Sequence, residues 1–263
     1  RPYIYVGGGA AGLGMGREIM EFAEKIDAYV GCTFMGLLAI PSGHPRFLGM
    51  QGMHGHYASS MAQKEADLIL AVGVRFSDRA TGNVEKYAKN SKIIQLDPDF
   101  AEINKNVSTT LHITGDAKIV LELLLSRVSQ KQHAQWMQQA RSMVEEYVND
   151  DKFEPRKILK TMSEIAPEMT VATDVGQHQM WAAQFYRYTR PRSFLSSGGL
   201  GTTLLTNYGI EHVYPWRPSS WPVAVKIYND LEKSNVGVVS SSPSPSGCST
   251  GAIILFCIYY NLI

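Results

Sequence analysis

An α/β fold built on a parallel sheet, followed by the opening of a second α/β unit, is what this sequence predicts. Three observations predict it. Short β-rich apolar runs alternate with helix-spaced segments through the first 130 residues. Glycine clusters stand where strands hand over to helices, as in YVGGGAAG. After a polar stretch, a helix and then one more strand restart the pattern from Arg156.

Composition narrows the function classes. With 44% hydrophobic and 19% charged residues, the chain is too apolar for a disordered polypeptide. Its 263 residues allow one large domain or two small ones. Lys plus Arg total 25 against 24 Asp plus Glu, so no basic surplus exists to neutralise a nucleic-acid backbone. Cys32, Cys248 and Cys257 form no CxxC pair; they predict neither a disulfide scaffold nor a zinc site and suit a reducing, cytoplasmic setting. A bilayer span needs about 20 apolar residues, and the only candidate, Ala252 to Tyr260, is far shorter. Neither a membrane nor a nucleic-acid partner is expected. The opening RPYIYVGGG runs straight into a strand without signal-peptide character and reads as the interior of a longer chain.

The elements follow in order. Tyr3 to Val6 is the first strand, ended by glycines. From Gly14 to Ile26, the residues Met15, Ile19, Phe22, Ala23 and Ile26 recur at helical spacing and predict one buried stripe. Ala28 to Thr33 is a second strand, Tyr57 to Ala66 a helix and Leu68 to Gly73 a third strand. Lys92 to Asp97 and Leu111 to Thr114 complete the strands, and Ile119 to Val128 closes the unit as a helix with Leu123 and Leu124 on its apolar side. Strands joined through helices imply right-handed crossovers and a sheet covered on both faces. This first domain occupies residues 1–130. Residues 131–155 form a linking segment whose Trp136, Ala140, Met143, Val144 and Tyr147 mark an amphipathic helix, with the boundary placed in Asn149 to Pro155. A second domain opens over 156–203 with a helix at Arg156 to Ile165, a strand at Met169 to Thr173 and the segment DVGQHQMW. Over 204–263 the pattern dissolves, and Ser240 to Ser249 reads as loop or disorder.

Gly7, Gly9 and Gly12 match G-x-G-x-x-G between a strand and a helix, where bare backbone N–H groups can approach a pyrophosphate. This makes the first domain Rossmann-like; the alternative is a tight turn with no ligand. The NAD version also needs an acid at the end of the second strand, and that end is Cys32-Thr33, while Asp27 precedes the strand. GMQGMHG (Gly49 to Gly55) offers glycines for close backbone approach, and His54 and His56 are read either as part of that loop or as a metal pair lacking further ligands. Arg75 and Arg79 in GVRFSDR follow a strand and can clamp phosphates, or form a solvated loop paired with Asp78. Asp97, Asp99 and Asp116 end strands; they can accept ribose hydroxyls or cap the helices that follow. Together the glycines, arginines and acids map to one sheet edge, the way a dinucleotide lies across an α/β domain. In the second domain Gln177 and His178 can bond a phosphate near a helix start, though a lone histidine there is as readily structural. SSGGLGT (Ser196 to Thr202) is a further glycine turn.

In this order, YVGGG, CTFMG, LGMQGMHG, EADLILAVGVRFSDRATGN, IIQLDPDFAEINKNV, GDA, DVGQHQMWAAQFY and FLSSGGLGT resemble the large catalytic subunits of acetolactate synthases, a thiamine diphosphate-dependent family, over residues 1–202. The resemblance implies a central FAD-binding domain of parallel-sheet, Rossmann-like type followed by a truncated thiamine diphosphate-binding α/β domain. FAD would contact Gly8, Gly9, Thr33, Phe34, Met53, His54, Gly73, Arg75, Arg79, Asp97, Asp116 and Ala117, with Gln179 and Met180 reaching from the next domain. Such FAD is a structural passenger in a reaction that moves no net electrons. Thiamine diphosphate would place its diphosphate near Val175, Gly176, Gln177 and His178. The implied reaction joins two 2-oxo acids, as when two pyruvates give acetolactate and CO₂ for branched-chain amino-acid synthesis. A homo-oligomer and a regulatory small subunit are the implied partners.

Departures are as informative. The glutamate that activates the cofactor, expected in a preceding domain, and the GDG…N element for Mg²⁺ are absent, so no catalytic and no metal-binding residue is assigned and the chain by itself is expected to be inactive. Thr203 and Leu204 replace the continuation of GGLGT, and Ser77 replaces the first Asp of the family's RFDDR. The alternatives are another FAD-containing carboligase or decarboxylase, such as glyoxylate carboligase, or a non-catalytic nucleotide-binding module.

Overall fold

The computed structural model describes residues 1–148, 154–168, 170–173, 176–191 and 193–196. The chain divides between residues 151 and 152 into two compact units. Expectations placed on Met169 and on residues 197–263, including the Ser/Pro run, lie outside the described residues.

In the first unit six parallel strands are ordered β3-β2-β1-β4-β5-β6. They are β1 (Pro2–Val6), β2 (Tyr29–Cys32), β3 (Phe47–Met50), β4 (Leu68–Val72), β5 (Lys92–Asp97) and β6 (Leu111–Thr114). Every residue of β1 is buried, as a central parallel strand with helices on both faces requires. The strand order reverses between β1 and β4, so chain leaving their carboxyl ends departs in opposite directions and opens a crevice there.

Helices α1 (Gly8–Gly12), α2 (Gly16–Ile26), α3 (Tyr57–Glu65), α4 (Asp78–Thr81), α5 (Ala117–Arg127) and α6 (Ala134–Val148) complete this unit. The glycine motif forms its own short helix rather than running into the long one, because Gly14 breaks the path with φ +66°. The expected stripe on α2 is real: Met15, Ile19, Phe22 and Ala23 are buried, while Ile26 is half-buried. On α5 the expectation needs correction. Leu121 and Ala117 face inward, Leu123 is 50% exposed and Leu124 is half-buried. The first turn begins at Ala117, where the Asp116 carboxylate caps Lys118 and Ile119, and the buried Ala117 and Leu121 lie one turn apart on one face.

Helix α2 packs with α5, and α3 packs with α6. The core on the α3/α6 side joins Tyr3, Tyr5, Ile69, Ala71, Val74 and Ile93 to Trp136 and Ala140. The segment before and within α6 is therefore bound to the sheet. The Trp136 indole donates to the carbonyl of Pro2 at 3.0 Å, Tyr29 donates to Met137 O at 2.9 Å, and the Lys131 N–H donates to Lys25 O at 2.8 Å.

Strand β3 went unseen in the sequence reading. It is four residues long and contains Gly49 at φ +85°, too short and too broken to show a period. It nevertheless extends β2 on one side and positions the loop that follows.

The second unit contains α7 (Glu154–Ile165), β7 (Val171–Thr173), α8 (Gln177–Phe185) and β8 (Phe194–Ser196). Strands β7 and β8 pair in parallel, and Phe194 at the start of β8 meets Tyr188, which meets Tyr186, in tilted ring contacts. No described helix is long and apolar enough to cross a membrane.

Candidate functional site

The first unit's candidate residues lie along one edge, at the carboxyl ends of all six strands. In spatial order these ends supply Met53 and His54 after β3, Thr33 and Phe34 after β2, Gly8 and Gly9 after β1, Gly73, Arg75 and Arg79 after β4, Asp97 at the end of β5, and Asp116 and Ala117 after β6. Neighbouring strands stand about 4.8 Å apart, so the edge is roughly 24 Å long. Such a length suits an extended two-part ligand.

Backbone crowding at the reversal point explains the glycines. A Cβ on Gly7 would fall 1.8 Å from Gly73 O, and one on Gly36 would fall 2.2 Å from Val6 O. Gly73 itself has φ +61°, a conformation that side chains disfavour. The Gly7 N–H donates to Val72 O at 2.9 Å and the Thr33 N–H to Val6 O at 2.8 Å, so three strand ends meet without intervening side chains. Beside this junction Gly8 is half-buried, a Cβ there falling 2.9 Å from the Met35 Cβ, and Gly9 is exposed, its N–H donating to Gly73 O at 3.3 Å. The result is a cradle of bare backbone that fits a diphosphate.

Around the cradle the charged groups differ in how far the protein already occupies them. Arg75 is 78% exposed and stands 3.9 Å from Glu102; Arg79 is 71% exposed and stands 4.0 Å from Asp78. Both cations remain available to an anion. Asp97 is buried, and that burial raises its pKa above the ordinary carboxylate range although the Asp99 N–H donates to it at 2.9 Å. A desolvated carboxylate of this kind gains from a hydroxyl donor. Asp116 and Asp99 act as caps, the latter accepting from Ala101 N at 2.9 Å. Thr33 caps the turn Phe34–Gly36.

Loop 49–55 is folded by its glycines. Gly52 (φ +105°) would, with a Cβ, lie 2.7 Å from Arg79 O, and the Met53 N–H donates to that carbonyl at 2.9 Å. Met53 is exposed, as is His54, whereas the His56 ring packs over Gly49. The two histidines part, and among the described residues no group of three or more His, Cys, Asp or Glu can hold a metal ion.

In the second unit, Gly176 (φ +154°) begins α8, with Gln177 exposed and His178 half-buried. A Cβ on Gly176 would lie 3.0 Å from the His178 ring, so glycine lets that ring fold back over the helix start. Gln179 is buried, and its amide donates to Ser196 Oγ, which Thr173 also approaches at 3.3 Å. Met180 is half-buried, and Val175 lies outside the described residues.

Two known families match this chain. Residues 1–124 match the central domain of thiamine pyrophosphate enzymes, and residues 174–203 match their C-terminal TPP-binding domain. The chain belongs to the thiamine pyrophosphate enzymes. Relatives within the family include the Escherichia coli acetolactate synthase isozyme 3 large subunit, 40% identical over 215 residues, which are 77% of this chain and 38% of that protein. The probable large subunit of Methanocaldococcus jannaschii is 40% identical over 217 residues, 77% of this chain and 37% of the relative. Acetolactate synthase 2, chloroplastic, of Zea mays is 42% identical over 213 residues, 76% of this chain and 33% of the relative. This thiamine pyrophosphate enzyme chain therefore spans under two fifths of the length of these relatives.

Three features of the edge escaped the sequence reading. Gly36 is as tightly enclosed as Gly7, Glu102 stands beside Arg75, and Asn106 donates to the Arg75 carbonyl at 2.9 Å. Gly36 was visible as the end of CTFMG. The other two lie on a segment without periodicity, where only the fold brings them to the arginine.

Proposed function

We propose that this chain is part of an acetolactate synthase large subunit, which joins two 2-oxo acids with loss of CO₂ in branched-chain amino-acid synthesis. Its first unit binds FAD along the carboxyl edge of the sheet. The observation that carries this reading is the glycine cradle at the β1/β4 reversal, flanked on one side by exposed Arg75 and Arg79 and on the other by loop 49–55. Gly8 and Gly9 receive the diphosphate, Arg75 and Arg79 balance its charge, and Asp97 accepts a sugar hydroxyl. Thr33, Phe34, Met53 and His54 border the flat ring; Gly73, Asp116 and Ala117 shape the remaining edge.

Thiamine diphosphate supplies the carbanion chemistry that removes CO₂ and attacks the second oxo acid. The start of α8, with Val175, Gly176, Gln177 and His178, faces the diphosphate, and Gln179 and Met180 follow on the same helix. Mg²⁺ would offset the charge of that diphosphate with oxygen ligands, and none of the residues named here is assigned to hold it. A cytoplasmic homo-oligomer with a regulatory small subunit completes the reading.

Titration of the full chain with FAD and with NAD tests the site. Tighter binding of FAD is expected, because the end of β2 offers Thr33 where NAD recognition needs an acid. Tighter binding of NAD overturns the assignment.

A further inference from the structure

Two loops at the carboxyl edge, 49–55 after β3 and 73–82 around α4, are joined by more than sequence would require. We propose that Tyr87, outside both loops, couples them into one body and is a positioning residue for whatever binds along this edge. The Tyr87 hydroxyl accepts from the Gln51 amide at 3.1 Å, and its ring meets Phe76 edge-on with centroids 5.9 Å apart. One residue thus touches one loop with its polar end and the other with its apolar body.

Each anchor is itself fixed. Gln51 is buried, and its carbonyl accepts from Tyr3 on β1 at 3.0 Å. Tyr3 finds room because Gly31 lies opposite; a Cβ there would fall 1.7 Å from its hydroxyl oxygen. Ser59 on α3 stands 2.8 Å from the same hydroxyl and donates to Gly49 O at 3.0 Å. Phe76 is buried with φ +49°, a left-handed conformation rare for a bulky side chain. That conformation turns the ring into the core against Tyr5 and Tyr87 while Arg75 and Ser77 on either side stay exposed. Strain of this kind persists only where surrounding contacts hold it, and Tyr87 supplies one of them. The loops also meet directly through Met53 N–H and Arg79 O. Displacing Tyr87 therefore shifts Met53 and the Arg75–Arg79 segment together.

The coupling stands on these contacts alone; its effect on FAD rests on the function proposed above. Hydrogen exchange of the ligand-free full chain tests the coupling in Tyr87→Phe, which keeps the ring and removes the hydroxyl. Faster exchange at Met53 and at residues 79–81 together, with α2 unchanged, is the expected result. Unchanged exchange, or acceleration in one loop only, overturns the proposal. In FAD titrations, Tyr87→Phe is expected to weaken binding on the order of fivefold. Gln51→Met is expected to do likewise, and the double variant to lose no more than the weaker-binding single variant. Wild-type affinity in Tyr87→Phe, or fully additive losses, removes the positioning role. A wild-type chain that binds no FAD refutes the ligand assignment instead, and the exchange result still decides the coupling.

Discussion

Trp136 and Arg75 stand at opposite ends of the same strands, and their surroundings differ in kind. At the amino ends, polar groups already have protein partners. The Asp27 carboxylate receives Arg46 at 2.9 Å and the His133 N–H at 2.5 Å, and Trp136 is bonded to Pro2 O. At the carboxyl ends, Arg75 and Arg79 are mostly in solvent, and Met35 and Met53 are 69% and 65% exposed. Left-handed Gly73, Gly52 and Phe76 also gather there. One edge is paired from within; the other holds exposed charge and apolar surface that a ligand can use. On the function proposed above, stability and binding fall to different ends of one sheet.

Substitutions can break this division. The largest effect is expected for Trp136→Ala, which empties a buried site and removes the bond to Pro2. Urea unfolding should show a loss of about 3–5 kcal/mol, with FAD affinity of the folded fraction unchanged. A loss below about 1 kcal/mol would mean that α6 does not close the amino edge.

Next comes Asp27→Ala. Burial acts to raise the Asp27 pKa, but the His133 and Arg46 hydrogen bonds outweigh it and leave the pKa lowered. A depressed carboxylate stabilises the fold above its unfolded pKa, about 3.9, and loses that contribution as pH falls through the folded value. The variant should lose about 1.5–3 kcal/mol at neutral pH, and its difference from wild type should shrink on acidification below about pH 4. A difference independent of pH would contradict the ionic role.

At the other edge the pattern inverts. Arg75→Ala should change stability by no more than about 0.5 kcal/mol while weakening FAD by about tenfold or more, the loss of one charged hydrogen bond. Equal effects of Arg75→Ala and Asp27→Ala on FAD affinity would erase the distinction between the edges.

Asp97→Asn comes last, and the sign of its stability effect is the informative part. Burial raises the Asp97 pKa, so the folded state binds this proton more tightly than the unfolded state does. Wild-type stability therefore declines as pH rises from the unfolded value, about 3.9, through the folded one. The neutral isostere escapes that penalty and should be more stable at neutral pH by less than about 1 kcal/mol, yet bind FAD less well. Thermal unfolding from pH 4 to 7 measures it; an Asn variant less stable at neutral pH would contradict the desolvation account.

How much of this was legible follows from the same division. The glycines and arginines of the carboxyl edge lie next to strands with clear apolar runs, so YVGGG, GVRFSDR and QLDPD could be placed on one edge from sequence. Asp27 was legible only as an acid at the wrong end of its strand; its partners Arg46 and His133 lie 19 and 106 residues away. Strand β3 stayed hidden because Gly49 and a length of four residues leave no period to read. Phe76 carries no signal of its own within GVRFSDR, since a left-handed backbone leaves no mark in composition. The inward face of α5 is hidden in the sequence because Leu123, Leu124 and Leu125 are all apolar, and packing of the helix with α2 selects the side that turns inward.

The central claim is that a dinucleotide lies along the carboxyl edge while the amino edge stays as it is. Hydrogen exchange of the full chain with and without saturating FAD tests it most directly. Protection is expected at residues 7–9, 33–36, 52–55, 73–79 and 97–99, with no change at 25–29, 44–47 and 130–137. Protection confined to the amino-edge segments, or none at the glycine cradle under saturating FAD, would contradict it.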